Sequence, residues 1–65
     1  MNQVRVWNDS TDNPFNFEMD DRELREFCGF MHPQEVTDVF EHEENGIMYF
    51  IIKSHVSMMS YTKIV

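Results

Sequence analysis

A disulfide is the first stabilising device this chain cannot use on its own. Cys28 is its one cysteine, so no internal cross-link forms. A lone thiol fits a reducing compartment better than a secreted one. Glycine is scarce as well. Gly29 and Gly46 are the only two, and neither lies in a Gly-rich phosphate loop or a nucleophile elbow. Long apolar runs are absent. The longest, residues 47–52, is far shorter than the roughly 20 residues a membrane helix needs. The stretch MNQVRVWNDS has no apolar segment of the secretory type. A soluble, cytoplasmic protein is the expectation.

Positive charge is also in short supply. Five Lys and Arg face twelve Asp and Glu, a net charge of −7. Direct nucleic-acid binding is therefore not expected, because phosphate contacts require a basic surface. The acids are unevenly placed. All twelve lie between Asp9 and Glu44, opposed there only by Arg22 and Arg25, which leaves that segment at −10. Residues 45–65 hold Lys53, Lys63 and no acid. A protein partner with a basic surface is the electrostatic match for such a belt. The plainer role of the same charge is solubility.

Sixty-five residues allow a single domain, residues 1–65. A core of this size rarely contributes more than about 3–5 kcal/mol. Residues 3–6 alternate, with Val4 and Val6 on one side and Arg5 on the other, which predicts a strand. NDSTDNP is a turn cluster. FNFEM alternates again through Phe15, Phe17 and Met19, a short second strand able to pair back on the first. Asp20 with Glu23 three residues later resembles a capping box with Asp at the cap. Leu24, Phe27, Cys28 and Met31 then follow at helical spacing, and Pro33 ends the run. A helix over about 20–31 is expected.

Residues 34–44 fit two readings. A helix would place Val36, Val39 and Phe40 on one face. A strand suits the Val, Thr and Phe content, and Asn45-Gly46 is a strong two-residue hairpin signal. The hairpin is the expectation, with arms 36–44 and 47–54. Its register pairs Glu44 with Ile47, Phe40 with Ile51, Val39 with Ile52 and Asp38 with Lys53, the last an opposite-charge pair. The tail reads as a final strand with a bend or bulge near Met59. The fold class expected is α+β: a small antiparallel sheet of three to four strands with one helix packed on one face.

Few residues point to chemistry. Cys28 and His32 stand four apart, and His42 and His55 could complete a zinc set, but the spacing matches no common zinc pattern. The plainer reading is a core cysteine and three surface histidines, His42 among them. No cofactor is expected. Nothing combines a nucleophile with a base, and one helix on a small sheet scarcely shapes a pocket of roughly 300 Å3 or more. Catalysis is not expected.

Two surfaces are left. One is acidic: Glu35, Asp38, Glu41, Glu43 and Glu44 on the first hairpin arm, with Asp20, Asp21 and Glu23 at the helix start. Dispersed carboxylates of this kind can imitate nucleic-acid phosphates and occupy the basic groove of a nucleic-acid-handling protein. The other is apolar. In a strand over residues 47–52, Met48, Phe50 and Ile52 share one side, and Met58 adds to it from the tail. Both sides of such a strand should be covered, by FNFEM and Trp7, by a partner, or by a second copy in a homodimer. Short, acidic, methionine-containing chains resemble in type many phage-encoded early proteins that bind and inhibit a host enzyme, a likeness that no motif carries. The expected function is non-enzymatic protein binding.

Overall fold

The computed structural model describes residues 1–9 and 12–64. Its elements run β1 (Asn2–Asn8), β2 (Phe15–Met19), α1 (Asp21–Phe30), β3 (Val39–Glu44), β4 (Ile47–Ile52), a short 3-10 turn (Lys53–His55) and β5 (Val56–Lys63). This is the expected α+β arrangement of one helix on antiparallel strands. The strands divide into two sheets: β2-β1-β5, and the hairpin β3-β4 by itself. No helix among the described residues is long and apolar enough to cross a membrane.

β1 is the central strand of the larger sheet, pairing Val4 with Phe17 on one side and with Tyr61 on the other. Its alternation buries Asn2, Val4 and Val6 and exposes Arg5. The irregularity expected near Met59 falls slightly earlier, where Trp7 opposes Met58 and Asn8 opposes Val56. Ser57 is the extra residue, and its hydroxyl donates to the Trp7 carbonyl at 3.2 Å.

The helix starts where its cap predicts. The Asp20 carboxylate accepts the Glu23 backbone N–H at 2.7 Å, satisfying one of the free amides of the first turn. Buried Asn2 ties this end to the sheet by donating to the Met19 carbonyl and to the Asp21 carboxylate. The buried stripe is Leu24, Phe27 and Phe30. Cys28, expected within it, is exposed. Both sets fit a 3.6-residue period. The stripe tilts to bury two stacked aromatic rings, Phe27 and Phe30, 5.9 Å apart, because a phenyl ring gains far more from burial than a thiol.

The hairpin forms in the expected register, with Glu44 opposite Ile47 and Val39 opposite Ile52. Asn45 and Gly46 both take positive φ, 54° and 78°, as a type I′ turn requires. The arms are shorter than expected. Residues 36–38 are not strand, and Val36 is almost fully exposed. Lys53 still donates its backbone N–H to the Asp38 carbonyl, but its ammonium turns away from the Asp38 side chain. It donates instead to the carbonyls of His32 and Glu35, fastening the loop after α1 to the end of β4.

The helix and the hairpin lie over the same face of the large sheet, and the core forms between them. It contains Val4, Val6, Phe17, Met19, Leu24, Phe27, Phe30 and Ile51. Phe40 brings β3 onto the helix, 5.0 Å from the Phe27 ring, and Tyr49 brings β4 onto Phe17 at the same separation.

Candidate functional site

Strand alternation sorts the hairpin side chains. Phe40, His42 and Glu44 point inward from β3, with Tyr49 and Ile51 from β4. Val39, Glu41 and Glu43 point outward, with Met48, Phe50 and Ile52. His42 is therefore a buried histidine, 2% exposed, and the expectation of a surface histidine is corrected. Opposite Tyr49 and two residues from Phe40, it occupies a core position. Its Nδ1 lies 2.8 Å from Glu23 Oε2 and its Nε2 lies 3.0 Å from Glu44 Oε1. The Phe17 ring edges against it at 5.1 Å.

An imidazole donating from both nitrogens to two carboxylates is an imidazolium. Burial disfavours that charge. The hydrogen bonds to Glu23 and Glu44 and their negative charges outweigh it, and the His42 pKa rises above the ordinary 6.5. Glu44 is held below the usual 4.5, first by the Glu18 backbone N–H and then by His42. That N–H points off the edge of β2 and reaches Glu44 Oε1 at 2.8 Å. One carboxylate thus holds His42 within the hairpin and joins the hairpin to the edge of the large sheet.

The eight acidic residues proposed for a partner are not equivalent. Glu23 and Glu44 are drawn inward to His42, and Asp20 caps the helix. Asp21 is bonded by Asn2 and faces Lys63 at 3.8 Å. Glu35 folds back onto Thr37. Asp38, Glu41 and Glu43 are exposed and make no side-chain hydrogen bond or ion pair among the described residues.

Cys28, His32, His42 and His55 are not brought together. Among the described residues, no group of three or more His, Cys, Asp or Glu is placed to hold a metal ion. Both His42 nitrogens are engaged by carboxylates, and His32 Nδ1 accepts the Gln34 backbone N–H.

The outer hairpin face carries the clearest unanswered surface. Met48, Phe50 and Ile52 are 47%, 60% and 40% exposed. FNFEM does not cover them, since Phe17 packs on the inner side of β4 against Tyr49. Glu43 stands directly opposite Met48, and Glu41 opposite Phe50. An apolar row and a carboxylate row thus share one face. Beside it, a cleft of about 240 Å3 opens between the hairpin and the large sheet, lined by Val6, Phe15, Phe17, Tyr49, Phe50 and Ile51 among others. A shallower depression of about 330 Å3 lies between Phe30, Glu35 and Phe40. The second is bordered by the Thr37 hydroxyl, which donates to the Glu35 carboxylate at 3.2 Å.

No family model, curated protein or solved structure matches the chain. The surfaces themselves supply the functional reading.

Proposed function

We propose that the chain is a non-enzymatic, acidic protein-binding module, and that the outer face of the β3–β4 hairpin is its contact surface. The observation that supports this is the pairing on that face of three exposed apolar side chains with two unpaired carboxylates. Exposed apolar clusters mark interaction sites more often than they serve the monomer. Glu41 and Glu43 have nothing to gain from Phe50 and Met48 as cross-strand neighbours. A partner presenting Lys or Arg around an apolar patch satisfies both rows at once. Burial of Phe50 and Met48 supplies affinity, and the carboxylates supply steering and register. The aromatic cleft beside Phe50 has room for one apolar side chain of that partner. A basic, nucleic-acid-handling protein is the partner class with this chemistry, and inhibition or modulation by occupying its surface is the activity that follows.

Capture from the native cell tests the proposal with three baits: the natural chain, Glu41→Gln with Glu43→Gln, and Phe50→Ser. The expected result is a basic partner retained at low salt and weakened at high salt. The double glutamate change should lower its association rate, and Phe50→Ser should shorten its residence. A partner held equally by all three baits would rule this surface out.

A further inference from the structure

We propose that the chain forms a two-fold symmetric dimer through the free edge of β5, making one continuous six-stranded sheet. Ile64 donates its backbone N–H to the Met1 carbonyl, so Ile64, Thr62 and Ser60 direct their backbone groups toward β1. By alternation, Met59, Tyr61 and Lys63 direct theirs away from the sheet, where β5 has no neighbouring strand among the described residues. An unpaired strand edge of this length is normally blunted by charge, proline or cover. From Val56 to Thr62 the strand has neither a charged residue nor a proline, and its one charge, Lys63 at the end, faces Asp21 of the same chain at 3.8 Å.

The opposite edge of the same sheet is blunted. There the Glu18 amide is already bonded to the Glu44 carboxylate. The sheet is therefore open on one side, and an isologous pairing at that side closes at two copies instead of propagating.

Self-complementarity selects the occupant and the register. An antiparallel pairing centred on Tyr61 sets Met59 opposite Lys63 of the second copy and Tyr61 opposite its own equivalent, all with outward backbone groups. On the other side of the sheet it sets Met58 opposite Ile64 of the second copy. Met58, Tyr61 and Ile64 are 54%, 54% and 47% exposed, and this register sets each of them against one of the three in the second copy. Centring one residue earlier would leave Met58 against Thr62. Charge does not oppose a second copy at this edge. Two chains of net charge −7 repel wherever their acids meet, and residues 45–65 carry no acid. β5 itself therefore brings no carboxylate to the contact, and Asp21 at its end is matched by Lys63.

Sedimentation of the isolated full chain from micromolar to millimolar concentration tests this, with amide exchange read at single residues. The expected result is a doubling of mass with concentration and slowed exchange at Met59, Tyr61 and Lys63. Tyr61→Pro should abolish the dimer and keep the circular dichroism spectrum, because the Tyr61 N–H takes no part in the β1–β5 ladder. If that variant does not fold, Tyr61→Lys replaces it, placing like charges face to face at the axis. A chain monomeric at millimolar concentration overturns the proposal. So does a dimer that survives the folded Tyr61 variant, or one dispersed by Phe50→Ser instead.

Discussion

His42 is held from both sides, and each side titrates in its own direction. Its pKa is raised in the folded chain, so its contribution to stability is complete below the ordinary 6.5 and is lost as pH rises through the folded value. The Glu44 pKa is lowered, so its contribution is complete above 4.5 and is lost as pH falls through the folded value. Both act in full between 4.5 and 6.5. Urea midpoints measured across pH should peak in that window. His42→Gln keeps polarity and loses the charge. It should cost about 2 kcal/mol near pH 6 and flatten the alkaline limb of the profile, whereas an unchanged alkaline limb would mean His42 is uncharged. The parity that buries His42 was present in the sequence. Phe40 is an obvious inward residue, and His42 lies two further along the same strand. What hid it was composition, because EHEE reads as solvated when its alternation is ignored. Glu23 gave no such signal, since its partner lies in another element and comes within reach only when helix and hairpin pack.

At the level of elements, local chemistry determined the ends more firmly than the faces. Asp20, Pro33 and Asn45-Gly46 act on neighbouring backbone, and each operates where its spacing indicates. The buried stripe of α1 was less legible, because Cys28 and Phe30 both border Leu24 and Phe27 on a helix and the choice rests on the hairpin that faces them. The division into two sheets was not legible either, since the capping bond from Glu18 to Glu44 is a contact across the fold. These elements can be perturbed singly. Asp20→Ala removes the helix cap and should cost about 1 kcal/mol. Gly46→Ala meets no steric neighbour, but it forces a side chain into the left-handed region and should cost about 1–2 kcal/mol. Urea unfolding checks both, with an unchanged slope expected in each case. A Gly46→Ala protein as stable as the natural chain would mean that the turn tolerates a different geometry.

For the whole molecule, the question is whether two sheets and a helix this small unfold as one. A two-stranded hairpin is marginal alone in water. Here its inward residues complete a core drawn from β1, β2, α1 and β4, so helix, hairpin and large sheet are expected to unfold together. Phe27 is fully buried and touches both Phe30 and Phe40, so it links helix to hairpin. Phe27→Ala should cost about 3–5 kcal/mol, as much as a core of this size supplies, and leave the chain largely unfolded. The milder Phe27→Leu allows a sharper measurement. Trp7, the one tryptophan, reports on the large sheet by fluorescence, and the Tyr49 ring reports on the hairpin by NMR. In urea the two transitions should coincide in the natural chain and move together to lower concentration in Phe27→Leu. A hairpin signal that melts first would show that the outer face of β3–β4 rides on a separable unit, so a partner binding there would have to order the hairpin as it bound.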